Sequence, residues 1–318
     1  MNSDYLVKGL HIANIVVSGN CNSKCVSCSY WKSKDNNELD VPTIRQFFSH
    51  IKEYGVERVL VTGGEPTVHS EIVTILRMAK EDFGFIVILA TNGILLHEIY
   101  HNICRYVDSY CISFDSCNNT TYKKIRGVDK SSAILEVTRY IRKHDAVVQL
   151  WYGCLIQKHN YLELIDIYDA AREAGADGIY FNVPELRDDC FGRNGQYALD
   201  EQDLLIPEEE LRNLSEIFNG LIANDSDIGF LCQDSDTFTE FLRFFRFASS
   251  PEKARERACE VYSNSITLTE NNRIKPCFFV PDDFCYNQLE NPVNATQMLE
   301  IRKKTVSSYV CSRCYQYL

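Results

Sequence analysis

Apolar residues over positions 11–182 recur in two alternating rhythms. Short β-branched runs at 11–18, 58–62, 85–90, 109–114, 146–152 and 178–181 read as six buried strands. Between them, the stretches 41–54, 70–82, 94–106, 131–144 and 161–174 carry apolar residues at helical spacing. Strand, helix, strand repeated in this way predicts right-handed crossovers and a parallel α/β sheet. Six such units suit an open barrel as well as a doubly wound sheet, and periodicity alone does not choose between them.

After Asn182 the rhythm stops. A polar stretch at 184–203 precedes a helix predicted over 207–223, and a Phe-rich segment over 238–247 is expected to pack into the core. The run Ile228-Gly229-Phe230-Leu231 resembles a further short strand. A hairpin is predicted from 265–269 and 273–278, turning at Asn271-Asn272. No repeat, low-complexity segment or flexible linker interrupts the chain.

Composition changes this picture at one point. Of 318 residues, 14 are cysteine, more than packing needs. Met-Asn-Ser-Asp at the N-terminus lacks the basic and apolar regions of a secretory signal, so reduced, metal-available thiols and a cytoplasmic location are expected rather than a disulfide framework. The longest apolar run, 85–90, is far too short for a membrane span. A net charge of −11 without a long basic cluster argues against a nucleic-acid partner.

The cysteines fall into groups. Cys21, Cys25 and Cys28 form C-x3-C-x2-C directly after the first strand, where three thiolates from one loop can converge on one centre. Disulfides between such close neighbours would strain the backbone. The spacing favours an iron–sulfur cluster with one open iron; a zinc site that draws a fourth ligand from elsewhere, or a coincidental spacing, are the lesser alternatives. Near the C-terminus, Cys259 and Cys277 bracket the hairpin and Cys311-Ser-Arg-Cys314 forms C-x2-C. Four thiolates so placed can complete a four-iron cluster or a tetrahedral zinc site; buried cysteines without a metal are the alternative. Cys104 and Cys111 lie in apolar stretches and are expected in the core.

The second predicted strand ends in Thr62-Gly63-Gly64-Glu65-Pro66, where two glycines admit close backbone approach to a ligand and Glu65 can accept from an ammonium. The C-x3-C-x2-C motif and then this turn, in that order along the chain, resemble the radical S-adenosylmethionine (SAM) superfamily. The resemblance implies a partial (β/α)6 TIM-like barrel in which Cys21, Cys25 and Cys28 leave one iron to chelate the amino and carboxylate groups of SAM. It extends, position by position, to Thr91-Asn92-Gly93 after the third strand, though a plain strand-ending turn reads the same way. It implies that Ser113 and Asp115 meet the ribose or methionine part of SAM. Arg126, in Ile125-Arg126-Gly127, is implied to pair with the SAM carboxylate, the alternative being an exposed arginine at a helix start. Many members carry an aromatic before the third cysteine; here that residue is Ser27, which leaves Tyr30 or Trp31 for the adenine.

The C-terminal cysteines resemble the twitch and SPASM modules of such enzymes, which implies an auxiliary 4Fe-4S cluster held by Cys259, Cys277, Cys311 and Cys314. Two 4Fe-4S clusters and SAM are thus the implied cofactors, with an external electron donor such as flavodoxin or ferredoxin. The implied division is a SAM barrel over 1–225 and an auxiliary-cluster module over 226–318. Relatives with one auxiliary cluster act on aminocyclitols or aminoglycosides, or modify ribosomal peptides. The first strand begins near residue 11, so no peptide-recognition domain is expected before it. That favours epimerisation or dehydrogenation of a small carbohydrate-like molecule over peptide modification. Cys232 is the expected hydrogen donor of an epimerase, with Cys285 and Cys190 as weaker candidates.

Overall fold

The computed structural model describes residues 10–32, 37–187, 190–193, 200–248, 264–280, 285, 300–301 and 303–304. Its elements in chain order are β1 (Ile12–Val16), α1 (Val41–Glu53), β2 (Arg58–Thr62), α2 (Ile72–Arg77), β3 (Ile86–Thr91), α3 (Leu96–Ile103), β4 (Ser109–Ser113), α4 (Asn119–Arg126), α5 (Ser131–His144), β5 (Gln149–Leu155), α6 (Leu164–Glu173) and β6 (Gly178–Asn182). The short α7 (Glu201–Leu204), then α8 (Leu211–Asp225), α9 (Ser235–Phe247), β7 (Ser265–Leu268) and β8 (Ile274–Lys275) follow.

The eight strands form one sheet in the order β6-β5-β4-β3-β2-β1-β7-β8. From β1 to β6 the order rises without reversal and every pairing is parallel. A doubly wound sheet reverses at a switch point and carries helices on both faces. Without a reversal, right-handed crossovers place the helices on one face and curl the sheet around the other. The fold is therefore a mixed α/β, partial TIM-like barrel.

Burial alternates accordingly. Val59, Val61, Val87, Leu89, Ile112, Leu150, Ile179 and Phe181 are fully buried and pack under the helices. The intervening residues Thr62, Ala90, Cys111, Ser113, Gly153, Tyr180 and Asn182 are partly exposed, because they face the lumen. This corrects the expectation for Cys111. It lies between the buried Tyr110 and Ile112, and the two-residue period of a strand turns it away from the core.

The C-terminal hairpin is part of the barrel's own sheet. β7 pairs parallel with β1, from Ile12 opposite Ser265 to Ile15 opposite Leu268, and Asn14 Nδ2 donates to Thr267 Oγ1 at 3.2 Å across that seam. The sheet thus runs across the division expected after residue 225. Asn272 takes φ 58°, the left-handed turn conformation that asparagine tolerates, and β7 then pairs antiparallel with β8. Leu231 bridges Ile179 in parallel, so the run at 228–231 is a single bridge at the open edge of β6. The Phe stripe is core: in α9, Phe238 stacks on Phe218 of α8 at 4.3 Å.

Candidate functional site

Cys21, Cys25 and Cys28 lie on the loop after β1, at the C-terminal end of the barrel, where parallel strands present their functional residues. All three line one cavity of about 280 Å³, together with Gly63, Gly64, Glu65, Asn92, Ser113 and Arg126. Those nine positions come from five separate segments of the chain, and the strand ends bring them together.

The loop is held from three sides. The Trp31 indole N–H is shared between the carbonyls of Cys25 at 3.1 Å and Cys28 at 2.9 Å. Trp31 thus fastens the loop, while Tyr30 lines the cavity. From α4, the carbonyls of Ile125 and Arg126 accept from Val26 and Lys24 N–H, both at 2.9 Å. Gly127 turns away at φ 70°; a Cβ there would lie 2.6 Å from Lys24 Cβ. Arg126 closes α4 rather than starting a helix.

The Gly-Gly turn forms the third side. Gly64 N–H donates to Ser18 O and Glu65 N–H to Asn20 O, each at 2.7 Å. A Cβ on Gly63 would lie 2.5 Å from Ser18 O, and one on Gly64 2.3 Å from Asn20 O. Both glycines line the cavity, and they also let one backbone approach another, and so fix the cysteine loop on the end of β2.

Glu65 is buried and acts as a hub. Its Oε1 accepts from Thr67 N at 3.1 Å and from the hydroxyls of Thr67 and Thr91, both at 2.6 Å, and its Oε2 accepts from Asn92 N at 2.7 Å. Burial pushes its carboxyl above the usual range, and those hydrogen bonds oppose the shift. Oε2, with one partner, keeps capacity for a further donor. Asn92 in turn donates to Asn22 Oδ1 at 2.6 Å and Ser23 Oγ at 3.2 Å, which ties the β3 turn to the cysteine loop.

Asp115 sits differently from its expected place. Its carboxylate is buried, accepts from Leu155 N at 2.8 Å and pairs with Arg126 Nε at 2.5 Å. It does not line the cavity. Arg126 then turns Nη1 toward Cys25 Sγ at 3.8 Å, so this cation sits against a cysteine of the loop.

Burial raises all three thiols, Cys21 to about 11 and Cys28 to about 12, and each also feels its neighbours in the set. Among the described residues no three His, Cys, Asp or Glu side chains are grouped as a single metal ion would require. Three thiols spread around one cavity fit a multi-iron cluster better than one zinc ion, since each thiolate binds a different iron. Arg126 offsets the negative charge that bound thiolates carry.

Cys232 is exposed and does not line the cavity. Cys277 is buried in a small apolar cluster with Cys190, Phe279 and Val280. Cys259, Cys311 and Cys314 lie outside the described residues. The sequence reading missed Tyr180, Asn182, Glu185, Phe191 and Phe279 as lining residues. The first two could have been found as lumen-facing positions at the end of β6; the others follow no local spacing.

Residues 15–171 match the Radical SAM superfamily domain. An AdoMet-dependent heme synthase of Methanosarcina barkeri is 30% identical over 183 residues, 54% of this chain and 51% of its own length. A probable GTP 3',8-cyclase of Saccharolobus solfataricus is 30% identical over 135 residues, 42% of this chain and 44% of its own. The chain thus spans about half the length of these curated relatives. Streptococcus suis SuiB bound to S-adenosylmethionine superposes with a TM-score of 0.68 at 16% identity, over 98% of this chain and 73% of SuiB. Native anSMEcpe with bound AdoMet gives 0.68 at 16%, over 94% of this chain and 84% of that one. These structures share the fold. Among the described residues no helix is long and apolar enough to cross a membrane.

Proposed function

We propose that this chain, which carries a radical SAM domain over residues 15–171, is an enzyme that cleaves SAM reductively and takes hydrogen from a small carbohydrate-like intermediate of natural-product biosynthesis, an aminoglycoside, cyclitol or sugar. The outcome is epimerisation or dehydrogenation. When bound, a 4Fe-4S cluster and SAM supply the electron transfer and the 5'-deoxyadenosyl radical that abstracts hydrogen.

The observation that carries the SAM-cleaving part of this reading is the convergence of Cys21, Cys25 and Cys28 with Glu65, Asn92, Ser113 and Arg126 on one cavity. The three thiolates would hold the cluster. Oε2 of Glu65 would accept from the SAM ammonium, with Asn92 and Ser113 beside it. Arg126, fixed by Asp115, would hold positive charge against the cluster. An auxiliary 4Fe-4S cluster on Cys259, Cys277, Cys311 and Cys314, and a flavodoxin or ferredoxin as electron donor, complete the proposal.

A second reading, modification of a ribosomally made peptide, draws support from fold neighbours solved with peptides: SuiB bound to precursor peptide SuiA, and anSMEcpe with bound AdoMet and Cp18Cys peptide. Incubation with candidate sugars and peptides in deuterated buffer separates the outcomes. A deuterated, redox-neutral product indicates epimerisation; a product oxidised by two electrons without label indicates dehydrogenation. Iron counting on the anaerobically reconstituted protein tests the second cluster, with about eight irons per chain for two 4Fe-4S clusters and about four for one.

A further inference from the structure

An enzyme that ends its reaction by returning hydrogen needs an O–H or S–H bond weak enough to yield a hydrogen atom to a carbon radical. Phenols and thiols qualify; the alcohols of Ser and Thr do not. Setting aside the three loop cysteines, the cavity offers three such groups, on Tyr30, Cys154 and Tyr180. Cys154 is buried on the core-facing side of β5, with Asn160 Nδ2 on its sulfur at 3.6 Å. Tyr30 lies beside the cysteine loop, where its backbone would come within 2.8 Å of a Cβ on Gly192.

Tyr180 stands apart. It projects from β6 into the lumen, opposite Gly153 of β5 in the parallel register. A Cβ on Gly153 would lie 2.5 Å from the Tyr180 hydroxyl oxygen, so the ring lies across β5 through the space that the glycine leaves. The hydroxyl thereby reaches toward β4 and lies beside the Cys111 thiol. Gly178 completes the arrangement: a Cβ there would lie 2.3 Å from Trp151 Cζ3, so the neighbouring aromatic takes the reciprocal space. Two glycines thus admit two crossed aromatic rings into the lumen. Cys232, whose N–H donates to Ile179 O at 3.0 Å, stands at the open edge of β6 beside Tyr180 and outside the cavity.

We propose that Tyr180 is the hydrogen-atom donor of this cavity and that Cys111, rather than the exposed Cys232, is the thiol that restores it. The proposal rests on the radical chemistry argued above. The phenolic O–H breaks as a C–H bond forms on the carbon radical, which leaves a tyrosyl radical. That radical takes the hydrogen atom of the neighbouring Cys111 thiol and leaves a thiyl radical. One electron from a low-potential donor and one solvent proton then regenerate the Cys111 thiol. Both donor positions exchange with solvent, so hydrogen delivered this way carries solvent isotope.

The test needs no substrate. The reconstituted protein in deuterated buffer is given SAM and dithionite alone, and the 5'-deoxyadenosine is analysed by mass spectrometry. Wild-type product is expected to carry one deuterium taken from within the cavity, and Tyr180→Phe, which keeps the ring, to give unlabelled product. Cys111→Ala is expected to confine the label to the first turnover, and Cys232→Ala to retain it throughout. Unlabelled product from the wild type, or undiminished label from Tyr180→Phe, overturns the assignment. Absence of 5'-deoxyadenosine overturns the function proposed above and this assignment with it. A second readout uses the protein without cluster or SAM: the S–H stretching band of Cys111, identified by its loss in Cys111→Ala, should shift in Tyr180→Phe. An unmoved band removes the contact between hydroxyl and thiol on which the relay depends.

Discussion

Arg126 pairs its Nε with Asp115 at 2.5 Å and turns Nη1 toward the Cys25 sulfur at 3.8 Å. Asp115 is thus a positioning residue: it holds a buried guanidinium where the cysteine loop needs positive charge. Removal of one partner of a buried pair leaves the other charge uncompensated, which costs about 3–5 kcal/mol. Asp115→Ala is expected to lose that much in urea denaturation of the unloaded protein. A loss below about 1 kcal/mol would place the pair among exposed ion pairs, which contribute little.

Gly64 should be intolerant of any side chain, because the added Cβ would meet the Asn20 carbonyl oxygen at 2.3 Å, and that atom is backbone. Gly64→Ala is expected to cost about 1–3 kcal/mol through forced movement of the loop, and to lower iron uptake with it. Gly220 in α8 is the control. A Cβ there makes only an ordinary contact with Ile165 at 3.4 Å, so Gly220→Ala should stabilise by about 0.5–1 kcal/mol through helix propensity.

Glu65 meets only donors: three at Oε1 and one at Oε2. Whichever oxygen glutamine replaces by NH2, a donor then faces a donor. Glu65→Gln is expected to destabilise the unloaded protein by about 1–3 kcal/mol despite its equal size. Equal thermal midpoints for the two proteins would show that the hub does not hold the β2 and β3 turns together.

Trp31 contributes one indole N–H to two loop carbonyls. Trp31→Phe keeps the ring and removes the donor, at about 0.5–1.5 kcal/mol, a several-fold change in an equilibrium. The reconstituted variant should therefore lose iron to a chelator several-fold faster than the wild type. Equal rates would assign the indole to packing alone.

The motifs were legible because each is local: C-x3-C-x2-C, Gly63-Gly64-Glu65 and Asn92 sit at strand ends, and strands buried under helices read as β-branched runs. The errors have physical causes. The fifth strand was expected at 146–152 and lies at Gln149–Leu155. Val147, 89% exposed, belongs to a turn in which Asp145 accepts from the N–H groups of Val147 and Val148, and its apolar character misled the reading. Helix α4 escaped notice because only Tyr122 and Ile125 are buried on it, and the Asn118 cap does much to define it. The seam between β1 and β7 joins residues about 250 positions apart, which no local pattern reports. Tyr180 was invisible for a related reason: its meaning depends on the glycine opposite it on β5.

The central claim is that Cys21, Cys25 and Cys28 hold the cluster that cleaves SAM. Its most direct test is 5'-deoxyadenosine formation from SAM and dithionite by the anaerobically reconstituted protein, compared with the triple variant Cys21→Ala, Cys25→Ala, Cys28→Ala. The account predicts product from the wild type and none from the variant. Product that persists in the variant, or a wild type that holds iron at these thiols and yields none, would contradict it.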